Sequence, residues 1–257
     1  MESTANLPDP DVVVAKLRAV DCPWPAPHVA PTTESTNIDA SAALTAGAQT
    51  GLCFVAGEQT AGRGRQGRSW VSDPGAGLWC STVVRDVPYP GRLPLLAGLA
   101  VMDVAAALDG PTLSVKWPND VLAANGRKMA GILVEGRPTG AVIGIGINVD
   151  HARESLPVEH ATSWRLLSGQ VPDRSTLLAT LLASLHARLT SDWSSARESY
   201  RQVCSTLGQD VVVEFPGGET VTGRAIDIDD EGHLLVNDGQ TTRTVVAGDV
   251  VHATIAP

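Results

Sequence analysis

Positive charge is scarce in this chain. Its 257 residues include 19 lysines and arginines against 28 aspartates and glutamates, which gives a formal net charge of −9. A protein that binds nucleic acid over a broad surface needs a basic face, because every backbone phosphate is negative. The charge balance therefore argues against nonspecific binding of DNA or RNA.

The sequence also lacks cysteine motifs and long apolar runs. Its four cysteines have no C-x-x-C spacing, so neither a zinc site nor a redox motif is predicted. The N-terminal residues contain no basic segment followed by an apolar one, so we expect no signal peptide. The longest mainly apolar stretch, 93–108, is interrupted by Pro94 and Asp103 and is too short to span a bilayer. We expect a soluble, cytoplasmic protein.

Apolar residues are plentiful, at 43% of the chain, so a substantial core can form. Periodicity and turn residues predict an α+β domain with helices packed on a mixed β-sheet. The predicted helices cover 11–20, 38–46, 94–108, 175–189 and 194–204. The predicted strands cover 51–57, 78–84, 113–117, 121–124, 129–135 and 141–149, with a tight turn at Asn125-Gly126.

The composition changes after Leu207. Short apolar segments at 210–215, 220–228, 233–236 and 242–246 alternate with turn-rich stretches, which is typical of a small antiparallel barrel. We expect one domain over residues 1–207, whose first 30 residues form an extension, and a second over residues 208–257.

The stretch Thr60–Trp70, which reads TAGRGRQGRSW, contains G-x-G-x-x-G with three arginines among the glycines. A dinucleotide-binding turn of this spacing opens directly into a helix, but the residues after Gly67 have no helical periodicity and reach Pro74-Gly75. A solvated flexible loop is the simplest alternative. The density of arginine instead favours a loop that closes over an anionic ligand, since guanidinium groups bind phosphate in a bidentate manner.

A second group of polar residues surrounds the Asn125-Gly126 turn. Lys128 begins a predicted strand, where a lysine is usually a surface charge, and Asn119 and Asp120 could simply be turn residues after Pro118. The glycines of 144–148 would allow a close approach to the backbone. Taken together, these segments supply cations for phosphate and an amide–carboxylate pair for Mg²⁺ or ribose.

In their order and spacing these motifs resemble those of the biotin protein ligases. They are Ser35-Thr-Asn37, Gly57-Glu-Gln-Thr-Ala-Gly-Arg-Gly-Arg-Gln-Gly-Arg68 with Trp70, Lys116-Trp-Pro-Asn-Asp120, Arg127-Lys-Met-Ala-Gly131 and Gly144-Ile-Gly-Ile-Asn148. The similarity extends over roughly residues 34–250, and the C-terminal strands fit the family's SH3-like domain. The resemblance implies the fold of class II synthetases and biotin ligases.

The family's activity has two steps. Biotin and ATP form biotinyl-5′-AMP, and biotin then passes to one lysine of a carboxyl carrier domain. The resemblance implies that Lys128, Arg65 and Asp120 are the catalytic residues. It implies a biotin site formed by Ser35, Thr36, Asn37, Gln59, Gly62, Arg63, Arg65, Lys128 and Gly131. It implies an ATP and adenylate site formed by Arg65, Arg68, Trp70, Asn119, Asp120, Lys128 and Asn148. Mg²⁺ is expected to arrive with ATP, without a protein-only metal site.

The residues before Ser35 include no basic recognition helix of the type that DNA-binding members place ahead of the ligase domain. We therefore expect a monofunctional ligase that binds neither DNA nor membrane. Its expected partner is the biotin carboxyl carrier domain of an acyl-CoA, acetyl-CoA or pyruvate carboxylase. A weak or ligand-linked homodimer is compatible with the family. Lipoate or octanoate transfer, found in the same superfamily, is the alternative activity.

Overall fold

The computed structural model describes residues 6–156, 158–215, 218–246 and 248–252. The helices are α1 (Pro10–Arg18), α2 (Thr36–Thr45), α3 (Leu93–Ala107), α4 (Trp164–Ser168), α5 (Arg174–Thr190) and α6 (Trp193–Val203). The strands of the larger sheet are β1 (His28–Thr33), β2 (Cys53–Gln59), β3 (Gly77–Arg85), β4 (Leu113–Lys116), β5 (Asp120–Ala123), β6 (Lys128–Arg137) and β7 (Gly140–Asn148). The C-terminal strands are β8 (Asp210–Glu214), β9 (Thr220–Ile228), β10 (Leu234–Asn237), β11 (Thr242–Val245) and β12 (Asp249–His252).

The larger sheet has seven strands in the order β1-β2-β3-β7-β6-β5-β4. Among its described strands only β1 and β2 are parallel, and α2 provides the crossover between them, while the other neighbouring pairs are antiparallel. The mixed sheet of the predicted α+β fold is therefore confirmed. The strands β1 and β12 and the short helix α4 were not expected from the sequence.

Helices cover both faces of the sheet. On one face α2 packs on β2, β3 and β7 through Ala40, Leu44, Val83 and Val142. On the other face α3 packs on the sheet and α5 packs on α3, with α1 against α5. Alternation along β3 and β7 sends Cys80, Ile143 and Ile145 into this second, larger core, so the opposite positions of the same strands face α2.

The segment Pro90–Ala107 reaches the length and mean hydropathy of a membrane span. Its helical part is the central core helix, where Leu95, Ala97, Ala100, Val101 and Val104 are almost fully buried. Its composition is therefore explained by packing between the sheet and α5.

The C-terminal strands form a five-stranded antiparallel sheet in the order β11-β10-β9-β8-β12. Its buried side chains join the main core without interruption. Two contacts fix the connection to the larger sheet: Trp117 donates from Nε1 to the Gly232 carbonyl (3.1 Å) and from its backbone N–H to Thr206 Oγ1 (3.0 Å). This small module therefore packs directly beside β4 and β5, which carry part of the candidate site.

Candidate active site

The centre of the sheet has a floor of glycines on the face that α2 covers. Across β3, β7 and β6 the register aligns Trp79 with Gly146 and Gly131, and aligns Ser81 with Gly144 and Leu133. Side chains alternate between faces along a strand, so all of these positions lie on one surface. Three glycines in adjacent rows leave space above the backbone, which the side chains of Trp70 and Asn37 occupy.

One end of this floor is bounded by neutral hydrogen-bonding groups. Gln59 Oε1 accepts from the Thr36 backbone N–H (2.9 Å) and from Thr36 Oγ1 (3.1 Å), and Gln59 Nε2 donates to Ser72 Oγ (2.9 Å). The hydroxyl groups of Thr36 and Ser81 are 2.7 Å apart. This network fixes the first turn of α2 to the last residue of β2.

Asn37 continues the network across the sheet. Its Oδ1 accepts from Ser81 Oγ (2.6 Å), and its Nδ2 donates to Glu135 Oε2 (2.8 Å). Ser35, Thr36 and Asn37 are at most 4% exposed. Because buried polar groups lock their partners in place, this end of the cavity is a rigid set of donors and acceptors.

The Gly/Arg stretch forms a short hairpin and does not lead into a helix. Arg63 pairs with Ser69 as an antiparallel bridge, and the Trp70 backbone N–H donates to the Gly62 carbonyl (2.8 Å). At the tip, Gln66 (φ 55°) and Gly67 (φ 74°) adopt left-handed backbone conformations. The hairpin explains the glycine spacing without a dinucleotide-binding turn.

The hairpin ends on Trp70, whose indole lies on the glycine floor. A Cβ atom at Gly146 would lie 2.7 Å from the Trp70 ring, and one at Gly131 would lie 2.8 Å from it. Trp79 meets this ring edge-on, with centroids 6.0 Å apart. The Lys128 ammonium lies 5.3 Å from the centroid of the Trp70 ring, within the range of a cation–π contact.

Cationic groups bound the other end of the floor. Lys128 Nζ is 2.6 Å from Asp120 Oδ1. Arg65 donates from Nη1 to Asn119 Oδ1 (3.0 Å) and to the Gly248 carbonyl of the C-terminal module (3.3 Å). Burial lowers the pKa of Arg65, with Asp120 acting in the opposite direction. The pKa of Lys116 is also below its ordinary value, because burial lowers it and the attraction of Asp120 offsets this only in part. The Asp120 carboxylate is therefore a counter-charge that Arg65 and Lys116 share.

One cavity brings together most of the residues that the resemblance implies. Its walls include Ser35, Thr36, Asn37, Gln59, Arg63, Arg65, Arg68, Trp70, Asn119, Asp120, Lys128 and Gly131. Gly62 does not line the cavity: a Cβ atom there would meet the Trp70 carbonyl at 2.3 Å, so this glycine allows the hairpin strands to approach. Asn148 is buried at the end of β7, opposite Gly77 and two residues beyond Gly146, and is also outside the lining.

Three polar residues of the site were not expected from the sequence. Ser72 and Ser81 bond to Gln59 and Asn37, and Glu135 anchors Asn37 from the far side. A usable signal existed for Ser81, one of two adjacent hydroxyl residues inside the mainly apolar run 78–84, since buried polar groups require partners. Ser72 and Glu135 stand among loop or strand-end residues and carry no such signal.

The fold and the site define an α+β domain with a polar-to-cationic cavity and an SH3-like C-terminal module. Residues 29–151 match the Biotin/lipoate A/B protein ligase family, and residues 206–253 match the Biotin protein ligase C terminal domain. The Biotin--[acetyl-CoA-carboxylase] ligase of Mycobacterium tuberculosis is 43% identical over 241 residues, covering 89% of this chain and 90% of that protein. The chain belongs to the biotin protein ligase family.

Two other relatives place the chain within that family. The Bifunctional ligase/repressor BirA of Bacillus spizizenii is 34% identical over 215 residues, which cover 78% of this chain and 66% of that protein. The solved structure of the biotin protein ligase from Aquifex aeolicus in complex with biotin and ATP has a TM-score of 0.77 and 25% identity, covering 88% of this chain and 99% of that one.

Proposed function

We propose that this protein is a biotin–carboxyl carrier ligase. It forms biotinyl-5′-AMP from biotin and ATP and then transfers biotin to the acceptor lysine of a biotin carboxyl carrier domain. The observation that carries the proposal is the polarity of a single cavity. Neutral hydrogen-bonding groups occupy one end and cations the other, as a ligand with an uncharged polar ring and a carboxylate tail requires.

In this assignment the ureido ring of biotin lies at the neutral end. Gln59, Thr36 and Asn37 provide amide and hydroxyl groups that are already oriented by their neighbours. Ser35 and the Gly131 backbone complete the pocket. Prior orientation of these groups reduces the entropy lost on binding.

The cationic end addresses the electrostatic difficulty of the first step. A carboxylate oxygen of biotin attacks the α-phosphorus of ATP, the bond to the bridging oxygen breaks, and pyrophosphate leaves. Two anions must approach each other, so positive groups that meet the developing charge lower the barrier. Lys128 lies beside the cavity floor and is assigned to the carboxylate and the α-phosphate, with Arg65, Arg63 and Arg68 at the phosphoryl oxygens.

The second step proceeds on the same face. The acceptor lysine amine attacks the acyl carbon of the adenylate, the bond from that carbon to the phosphate oxygen breaks, and AMP leaves. Asp120 is assigned to the incoming amine as the acceptor of its proton. Trp70 is assigned the role of covering the adenylate, because its indole already lies over Gly131 and Gly146.

Mg²⁺ is proposed to enter with the triphosphate. The side-chain oxygens of Asn119 and Asp120 are of the type that Mg²⁺ prefers, and Oδ1 of each already contacts a cation, Arg65 and Lys128 respectively. The described residues contain no cluster of three or more His, Cys, Asp or Glu side chains suited to a metal ion. The ion supplies charge neutralisation at the phosphates, and this chain positions those phosphates.

Biotin-dependent exchange between ATP and pyrophosphate tests the first step. Wild-type protein should exchange label only when biotin is present, and Lys128→Ala should lose at least about a hundredfold in rate, the scale of a group that acts on transition-state charge. Lys16→Ala, which changes an exposed lysine on α1, is the matched control and should retain wild-type exchange. Wild-type activity in Lys128→Ala would remove Lys128 from the proposed role.

Transfer to a purified carrier domain tests the second step and the substrate. Parallel reactions with labelled biotin, lipoate and octanoate, each with ATP, should label the carrier lysine with biotin alone. Labelling by lipoate or octanoate at a similar rate would assign the other activity of the superfamily. A cytoplasmic location and the absence of DNA binding belong to the same proposal, and specific retention of promoter DNA in a gel-shift with biotin and ATP would contradict the second.

A further inference from the structure

Lysine is rare in this chain, and most of it is at the site. The only lysines among the 19 lysine and arginine residues are Lys16, Lys116 and Lys128. Lys16 is exposed on α1, whereas Lys116 and Lys128 both adjoin Asp120. An ammonium is a compact point charge that can move between partners, while a guanidinium is a broad planar fork. Two of the three ammonium groups of the side chains therefore lie around one carboxylate.

Lys116 lies on the strand next to Asp120. The β4–β5 register places Lys116 directly opposite Asp120, and residues in such a cross-strand pair have side chains on the same face at close range. On the other side of Asp120, Lys128 Nζ is 2.6 Å from Oδ1. Asp120 and Lys128 line the cavity, whereas Lys116 is outside the lining.

The surroundings of Asp120 make it a point where several charges meet. Lys116 on β4, Lys128 on β6 and Arg65 on the hairpin all interact with its carboxylate, which also acts on the buried Tyr200 of α6. Lys128 and Lys116 in turn repel each other. A change in the position of one cation therefore alters the interaction of the others with Asp120.

The proposed function requires Lys128 to change partners. Its ammonium pairs with Asp120, but adenylation places it at the biotin carboxylate and the α-phosphate. A half-buried carboxylate left without its cation is costly, because the protein interior screens charge poorly. We propose that Lys116 is a positioning residue that holds the Asp120 carboxylate in place when Lys128 moves to the substrate.

This inference rests on the proposed function, and no bond is made or broken at Lys116. Its effect is to lower the cost of releasing Lys128 and to preserve Asp120 for the second step. A residue of this kind affects the rate of adenylation more than the affinity for biotin, because the neutral end of the cavity is built from other groups.

Steady-state exchange kinetics of Lys116→Met and Lys116→Arg provide the first test, with Lys16→Met as control. Lys116→Met should lower kcat about tenfold, the scale of coupling between neighbouring charged groups, and change the KM for biotin less than about threefold. Lys116→Arg keeps a positive charge at this position, so it should return kcat toward the wild-type value.

A double-mutant cycle tests whether Lys116 acts through Asp120. If it does, Lys116→Met should cost much less in the Asp120→Asn background than in wild-type protein. Full additivity of the two losses, or a wild-type kcat in Lys116→Met, would overturn the proposal.

NMR titration supplies a readout that does not depend on ligase activity. Selective ¹³C labelling of lysine gives three side-chain signals, which the single variants assign. The signal of Lys116 should titrate below the ordinary range, and Lys128→Met should raise its pKa, since a like charge has been removed from the shared carboxylate. If the pKa of Lys116 is unchanged in Lys128→Met, the claim that the two lysines share the Asp120 carboxylate is wrong. Absence of biotin-dependent exchange in wild-type protein would instead defeat the proposed function.

Discussion

Gly144 lies under the side chain of Asn37, where a Cβ atom would come within 2.1 Å of Asn37 Oδ1. Gly144→Ala should therefore displace Asn37 and break its bonds to Ser81 and Glu135. We expect biotin affinity to fall at least about tenfold, as overpacking a rigid contact commonly costs about 1–3 kcal/mol. Isothermal titration with biotin measures the change.

Gly136→Ala is the matched control for that substitution. Gly136 lies on β6, and a Cβ atom there has nothing within 4 Å. This variant should bind biotin as wild-type protein does. Equal loss of affinity in the two variants would mean that the floor at Gly144 has no special role.

His151 gives a prediction about pH at a single residue. Burial lowers its pKa below the ordinary value, although Asp73 acts in the opposite direction. The unfolded chain therefore takes up a proton near pH 6.5 and below, where the folded protein does not, so the free energy of unfolding falls as pH decreases through this window. One group contributes at most about 1.4 kcal/mol per pH unit. Urea unfolding of His151→Gln between pH 7.5 and 5 should give a smaller decrease than wild-type protein.

The sequence pointed to candidate site residues but not to the partners that hold them. Lys128 and Asp120 belong to separate motifs on either side of the predicted turn, and the β5–β6 hairpin places them 2.6 Å apart. Glu135 acquires its position only because β6 and β7 pair in a register that carries it beside Asn37. Such contacts depend on long-range pairing, which no local pattern specifies.

Among the elements, the Gly/Arg hairpin illustrates how local sequence limits the choices. The residues after Gly67 have no helical periodicity, and this local pattern by itself excludes a dinucleotide-binding turn. A left-handed conformation at Gln66 is not visible in the sequence, since only glycine and, less often, asparagine signal that region of backbone space.

We predict that biotin with ATP protects this hairpin from trypsin. Arg63, Arg65 and Arg68 line the cavity, so an adenylate bound there should cover them and slow cleavage between residues 61 and 70. Arg153, exposed on the turn Arg153–Ser155, is an internal control whose cleavage should not change. Peptide mapping over time measures both. Equal hairpin cleavage with and without the ligands would contradict the closing of the hairpin over the adenylate.

The unexpected strands share a physical cause. The strand β1 contains Pro31 and lies at the sheet edge, where a missing N–H is tolerated, and its pairing with β2 spans the whole of α2. The strand β12 likewise pairs with β8 from a distant part of the chain. In both cases the structure comes from pairing between separated segments and not from strand propensity.

At the scale of the whole molecule, charged contacts connect the C-terminal module to the larger domain. Arg201 of α6 meets Asp227 of β9, with Nε to Oδ1 at 2.6 Å, and Arg197 meets Asp230. Arg92 donates to the Asp230 carbonyl (2.7 Å). Since Gly248 of the same module accepts from Arg65, the position of the module is coupled to the cationic end of the cavity.

Asp227→Ala tests this coupling. Loss of the bidentate pair with Arg201 should lower stability by about 1 kcal/mol, or Tm by about 3 °C, and should raise the KM for ATP more than that for biotin. Asp210→Ala removes an exposed pair with Arg224 inside the C-terminal module, so it is the matched control with little expected effect. Differential scanning calorimetry measures the Tm, and exchange kinetics measure the two KM values. Equal results for Asp227→Ala and Asp210→Ala would mean that the position of the C-terminal module does not affect the cationic end of the cavity.

The distribution of lysine has one more consequence. An acyl-adenylate acylates amines, so a protein that makes one is exposed to damage by its own intermediate. Beyond the two lysines beside Asp120, the chain offers a single side-chain amine, Lys16, on the exposed surface of α1. The residues that are otherwise cationic at neutral pH are arginines, which remain protonated and are poor nucleophiles. Lys16 is accordingly the most exposed lysine amine of the chain and a natural point for attaching a probe or a solid support.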